Sequence, residues 1–124
     1  MLKIDHHSGV PAYKQLMEQI RFQIGSGLLK AGDEMPSTRE LSAKLGLNPM
    51  TISKAFSLLQ HEGVLERQKG KPVRVKEIEG AVLEEKREEQ VKRALAPGVR
   101  AARQLGISKT EAARLLKELF DDEN

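Results

Sequence analysis

The feature that most constrains the fold is a pair of short helices that meet at one glycine, within MPSTRELSAKLGLNPMTISKAFSLLQHEG. Ser37, followed three residues later by Glu40, is typical of the capping box that begins a helix. Gly46 is a typical helix end. Asn48 is a favoured N-cap and Pro49 a favoured first helical residue, so a second helix begins almost at once. Two short helices joined this tightly are predicted to form a helix-turn-helix.

The second of these helices has one apolar face, made of Ile52, Ala55, Phe56 and Leu59, and Gly63 ends it. When such a helix enters the major groove of DNA, its first turns contact the base edges. The candidates for contact on the opposite face and at the helix start are Asn48, Met50, Thr51, Ser53 and Lys54. Asn48 has two possible roles, as a cap and as a base contact, and the pattern leaves both open. Met50 would make an apolar contact, for example with a thymine methyl group.

The segments on either side complete a winged domain over residues 1–76. An apolar stripe after Pro11 predicts a first helix that ends at Gly25. Downstream, VLERQKGKPVRVK reads as two short strands around a turn at Gly70. A hairpin directly after a helix-turn-helix is a wing. Arg67 to Lys76 holds five cations and no acid, so Lys69, Gly70, Lys71 and Arg74 are expected to meet phosphate or enter the minor groove, with a purely solvated position left open for Arg74.

Residues 77–80 are predicted to form a hinge, and residues 81–124 a tail of two helices. Pro97 is expected to kink or break the first tail helix, and Ser108 with Glu111 predicts a capping box for the second. Two helices of this length are too small to bury their own apolar faces. The tail must therefore pack on the N-terminal domain or on a second copy of the chain, and we expect the second. The candidate dimerisation residues are Leu95, Val99, Ala102, Leu105, Leu115, Leu116 and Leu119.

The composition favours a polyanion as partner of the N-terminal half. Residues 1–76 carry 12 Lys and Arg against 7 Asp and Glu, a net charge of +5, whereas residues 77–124 carry 9 against 11, or −2. The chain has no cysteine, which excludes thiolate metal sites, and its few aromatic residues disfavour binding of single strands by stacking. We find no catalytic constellation, no metal or cofactor site, no membrane span and no signal peptide, and expect a cytoplasmic, non-enzymatic protein.

The chain also resembles the GntR family of bacterial winged-helix transcription regulators over about residues 10–76. The matching motifs are P-S-x-R-E-L at the start of the first short helix, T-I-x-x-A-x-x-x-L from Thr51 to Leu59, and E-G-V-L-E-R from Glu62 to Arg67. The resemblance implies that Arg39 faces DNA, and Ser37 and Thr38 beside it are further candidates for DNA contact. It also implies a winged helix-turn-helix, in a chain that is mainly α with a small β-hairpin.

The short tail is similar to that of the YtrA subgroup, whose members are often repressors, commonly of transporter genes. Two departures from the family concern DNA contacts, because Pro49 and Ser53 stand where many members have arginine. Pro49 remains a candidate for DNA contact because it lies at the start of the helix. The base and phosphate contacts of the family's arginine cannot be assigned to it.

The leading interpretation is a homodimeric transcription regulator that binds an inverted repeat in double-stranded DNA. The resemblance to the family implies that it is a repressor. The alternative is a winged-helix module that binds another protein and no specific DNA; the charge-poor second helix favours it, and the cationic wing disfavours it. The sequence names no effector ligand.

Overall fold

The computed structural model describes residues 2–122, so the outermost residues of both predicted domains fall outside it. The fold is mainly α with a small antiparallel hairpin, as the sequence predicts. The elements are α1 (Ala12–Gly25), α2 (Thr38–Leu45), α3 (Pro49–His61), β1 (Leu65–Glu66), β2 (Arg74–Val75), α4 (Gly80–Gln104) and α5 (Lys109–Asp122). Two compact units divide after Lys86, within α4.

The predicted caps set the start of α2 and of α3. Ser37 Oγ accepts a hydrogen bond from the Glu40 amide at 3.0 Å, and Asn48 Oδ1 accepts one from the Met50 amide at 2.9 Å. These bonds satisfy amides that have no carbonyl partner in a first helical turn. Gly46 adopts a φ of +67° between the two helices, a left-handed conformation that only glycine adopts without strain.

One hydrophobic core lies under α1, α2, α3 and the hairpin. Leu16, Ile20, Ile52 and Leu59 are fully buried in it, with 0% of each side chain exposed. Burying an aliphatic side chain of this size contributes roughly 1.5–3 kcal/mol. The remaining core residues are Met17, Ile24, Met35, Leu41, Ala55, Phe56, Val64, Leu65, Val73 and Val75. The Ser42 hydroxyl, which sequence alone leaves without a partner, donates to the Leu47 carbonyl across the helix-turn-helix.

The hairpin is held to α2 by a segment that the sequence did not predict as extended. Leu65 pairs with Val75 in the antiparallel hairpin. On the other side of β2, the Met35 amide donates to the Val73 carbonyl at 2.7 Å, and the Val75 amide donates to the Asp33 carbonyl at 2.8 Å. The link before α2 thus runs antiparallel beside β2. Because Met35 comes just before the α2 cap, this pairing fixes the wing close to the start of α2.

The helix α4 continues through Pro97 to Gln104, so of the kink or break predicted at that proline, the break does not occur. Pro97 removes one amide donor from the helix, and the carbonyl four residues earlier, on Arg93, is left without its usual partner. Both residues are exposed, so water can satisfy that carbonyl and the helix need not end. The second tail helix begins as predicted, with Ser108 Oγ accepting from the Glu111 amide at 3.1 Å.

The α5 helix is amphipathic but buries none of its described residues. Leu115 and Leu116 are each 39% exposed, and Leu119 is 60% exposed. Across residues 2–122, no helix is both long enough and apolar enough to cross a membrane.

Candidate nucleic-acid interface

The exposed face of α3 combines small polar side chains with one methionine and is nearly uncharged. Met50 is 78% exposed, so it lies outside the core as predicted. Ser53 and Lys54 are exposed and Thr51 is half-buried. These side chains can make short-range hydrogen bonds and methyl contacts with base edges, which are the contacts that distinguish one base pair from another in the major groove.

Asn48 uses only one side of its amide in the cap. The Oδ1 atom accepts from the Met50 amide, while the NH₂ group provides two further donors, and the residue is exposed. The two interpretations left open by the sequence are therefore compatible, because the cap occupies the oxygen and leaves the amide hydrogens for a base acceptor. Pro49 follows in the first helical position, where it holds α3 in register with this cap.

Lys54 is held by an aromatic ring that belongs to another helix. Its Nζ atom lies 3.9 Å from the centroid of the Tyr13 ring, and Tyr13 is the second residue of α1. The ring is half-buried and packs against the core. Sequence reasoning did not find Tyr13, because its spacing marks it only as a core-facing residue of α1.

The start of α2 carries the Ser37 cap, then Thr38 and Arg39. Arg39 is exposed, and it makes no ion pair among residues 2–122. An unpaired guanidinium beside a helix N-terminus can take a phosphate or a guanine edge through two parallel hydrogen bonds. The geometry is compatible with the DNA-facing role that the resemblance implies.

A cleft of about 370 Å³ separates the wing from the start of α2. One wall is formed by Ser37 and Thr38, and the other by Arg67, Gly70 and Lys71. Gly70 has a φ of +76° at the wing tip, so the turn depends on a glycine there. Arg67 was missed as a contact candidate; the signal was present in the run of wing cations, but only the folded hairpin places it across from α2.

The cations of the first unit fall into two groups. Arg21 is paired with Glu62, and Arg74 with Glu66 at 2.9 Å, so these two arginines stabilise the fold. No carboxylate of residues 2–122 pairs with the wing cations Arg67, Lys69 and Lys71. A cluster of unpaired cations favours a polyanionic partner, because each can neutralise a phosphate without first breaking an ion pair.

The predicted dimerisation residues lie in α4, at Leu105 directly after it, and in α5. Leu95 is 42% exposed, Val99 51% and Leu105 77%, and Ala102 is half-buried. Exposed apolar side chains that lie together can mark a site of interaction, whereas single ones are common on protein surfaces.

Within the described part of the chain, no three His, Cys, Asp or Glu side chains are grouped so that they could hold a metal ion.

Comparison with known proteins identifies the first unit. The family model described as "Bacterial regulatory proteins, gntR family" matches residues 12–75. The transcriptional repressor YtrA of Bacillus subtilis is 31% identical over 122 residues, which cover 98% of this chain and 94% of YtrA.

Two solved structures extend this likeness. A GntR family transcriptional regulator from Listeria monocytogenes is 28% identical and superposes with a TM-score of 0.79, covering 93% of this chain and 98% of that one. The DNA-binding domain of AraR, solved in complex with operator ORX1, is 30% identical with a TM-score of 0.51, covering 53% of this chain and 80% of that one.

The matched family region contains the helix-turn-helix, the wing and the cleft between them. The chain is therefore a DNA-binding transcription regulator that belongs to the GntR family and is similar to YtrA over nearly its whole length.

Proposed function

We propose that this protein is a transcriptional repressor that binds an inverted-repeat operator as a homodimer, with one winged helix-turn-helix on each half-site. The observation that carries the proposal is the cleft in which the start of α2 faces the unpaired wing cations Arg67 and Lys71, in the same compact unit as the exposed start of α3. Each of these elements supplies a different kind of contact.

The start of α3 reads the bases. Its polar face enters the major groove with Asn48 donating through its amide, Met50 meeting a thymine methyl group, and Thr51 and Ser53 making hydrogen bonds. None of these side chains carries charge, so they add little to nonspecific affinity. They instead make binding depend on the sequence of the DNA.

The start of α2 and the wing hold the DNA backbone. Arg39 contacts a phosphate or a guanine from the first turn of α2, beside Ser37 and Thr38. Lys69 and Lys71 follow the wing to its tip at Gly70, where they meet phosphates or enter the minor groove. The hydrogen bonds between β2 and the link before α2 keep these two groups of contacts at a constant separation.

The tail pairs two copies of the chain. Its apolar face carries Leu95, Val99, Leu115 and Leu119 at exposed positions, and a second copy offers the same surface under two-fold symmetry. The similarity to YtrA of Bacillus subtilis, a repressor of nearly equal length, supports repression by occupation of a promoter. Transporter genes are the proposed targets. The protein is expected in the cytoplasm, because the chromosomal DNA that it would bind is there.

Binding to DNA is tested with a fluorescent duplex from the region upstream of the protein's own gene, against a shuffled duplex of equal composition. We expect tighter binding to the first, with an affinity that falls steeply as salt rises because phosphate neutralisation releases counterions. Arg39→Ala should weaken binding to the upstream duplex by about 1–3 kcal/mol. Equal affinity for both duplexes would contradict the proposal.

Repression is tested with a reporter gene behind the same upstream region. Expression should fall when the protein is supplied and recover with Arg39→Ala, provided that immunoblots show equal protein levels. Expression that rises with the protein would identify an activator and overturn the repressive part of the proposal.

A further inference from the structure

We infer that Tyr13 is a positioning residue for DNA binding, which holds the Lys54 ammonium at the surface of α3 so that it meets a phosphate. The inference rests on the proposed function. It starts from one contact, the 3.9 Å between Lys54 Nζ and the Tyr13 ring centroid. Lys54 is the only Lys, Arg, Asp or Glu in α3. The contact with Tyr13 therefore determines where the single charge of this helix lies.

The ring is a fixed part of the fold. Tyr13 lies at the start of α1, half-buried against the core. In the same helix Leu16 and Ile20 are fully buried, as are Ile52 and Ala55 of α3. The ring therefore has little freedom to leave Lys54. Lysine alone is flexible about its four-carbon stem, and the aromatic face restricts where its ammonium can go.

Restricting the lysine before DNA arrives favours binding. A long side chain that becomes ordered on binding loses rotamer entropy, and pre-organisation removes part of that loss. An exposed cation–π contact shifts an equilibrium by about two- to fivefold. The ring and a phosphate do not compete for the ammonium, since the group has three donors and the ring covers one side only.

A double-mutant cycle measures this coupling with the labelled upstream duplex. Tyr13→Leu keeps apolar bulk and removes the ring face, Tyr13→Phe keeps the ring and removes the hydroxyl, and Lys54→Met keeps the stem and removes the charge. We expect Tyr13→Leu to weaken binding about two- to fivefold and Tyr13→Phe by less than about twofold. In the Lys54→Met background, Tyr13→Leu should have no further effect.

Three results would overturn the inference. Tighter binding by Tyr13→Leu would mean that the ring withholds the lysine from DNA. An equal decrease in affinity with Tyr13→Phe would assign the effect to the hydroxyl. Additive decreases in the double variant would mean that Tyr13 and Lys54 act separately. A wild-type protein that binds no duplex would instead contradict the proposed function, so the two failures are distinguishable.

The contact itself is tested without DNA by proton NMR. In the wild-type protein and in Tyr13→Phe, the ring current should move the Lys54 ε-methylene protons upfield from the other lysines. Tyr13→Leu should return them to the usual position. Unshifted protons in the wild-type protein would overturn the inference even if Tyr13→Leu failed to fold.

Discussion

Asn48 shows how one side chain can serve the fold and the DNA together. Its oxygen caps α3, and its NH₂ group belongs to an exposed residue. The two roles use different atoms, so they can be separated by substitution. Serine can replace the capping oxygen, because it is as favoured at an N-cap as asparagine, but it has no amide with which to read a base.

We predict that Asn48→Ser preserves stability and weakens specific binding, whereas Asn48→Ala lowers both. Removing the cap in Asn48→Ala should reduce the free energy of unfolding by about 1 kcal/mol. Removing a contact made by the NH₂ group alone should reduce binding to the upstream duplex by about 0.5–1.5 kcal/mol in both variants. Urea denaturation and fluorescence anisotropy measure the two quantities. Unchanged binding by a stable Asn48→Ser would confine Asn48 to its capping role.

At the scale of elements, the wing is a cationic pair of strands, and its position is set by the extended link before α2, which pairs with β2. The link before α2 pairs with β2 through the Met35 and Val75 amides, and this sets Arg67 and Lys71 across a cleft from Ser37. Phosphate contacts made by such cations should contribute to affinity for every DNA sequence alike, because the backbone is the same in all of them.

We predict that Lys71→Gln and Arg67→Gln each lower the salt dependence of DNA binding. For each phosphate that the variant no longer neutralises, the slope of log affinity against log salt should fall by about 0.9. Affinity for the upstream and the shuffled duplex should fall by the same factor. Lys117→Gln, which removes the same charge from α5, serves as the control and should leave the slope unchanged. A slope that falls equally with Lys117→Gln would assign the effect to net charge.

An element could be predicted from the sequence when the residues that form it are close together in the chain. Ser37 and Asn48 sit next to the amides they cap, so the starts of α2 and α3 followed from a few neighbouring residues. Pairing of the link with β2 joins residues far apart in the chain, with no alternating pattern in the link to reveal it. The contact between Tyr13 and Lys54 is likewise tertiary. The sequence left a kink and a break at Pro97 both open, because a proline predicts only the absence of one hydrogen bond, and an exposed helix can tolerate that absence without ending.

At the scale of the whole molecule, residues 1–76 and residues 77–124 differ in net charge and in the surface they expose. Residues 1–76, with a net charge of +5, carry the proposed DNA-facing edge, and residues 77–124, at −2, carry exposed apolar side chains. The tail of residues 81–124 balances 9 Lys and Arg with 9 Asp and Glu, so it has no net positive charge with which to attract DNA. Its apolar residues remain available for another protein surface, and a copy of the same tail is the partner that every molecule meets.

If two copies pair through the tail, affinity for the operator should depend on tail residues that do not contact DNA. Two linked reading domains bind an inverted repeat more tightly than one, because the second binding event is intramolecular once the first domain is bound. A variant that cannot pair should therefore bind the full repeat more weakly and keep its affinity for a single half-site. This separates the tail's effect from any damage to α2, α3 or the wing.

We predict that Leu119→Glu converts the dimer to a monomer. Leu119 is 60% exposed on the apolar face of α5, and a symmetric interface would lose its side chain twice and gain two like charges. If burial of each leucine contributes about 1.5–3 kcal/mol, dissociation should be favoured by at least about 100-fold. Thr110→Glu, on the polar face of the same helix, adds the same charge and should remain dimeric. Sedimentation velocity at micromolar concentration distinguishes the two states, and a wild-type protein that sediments as a monomer would refute pairing through the tail.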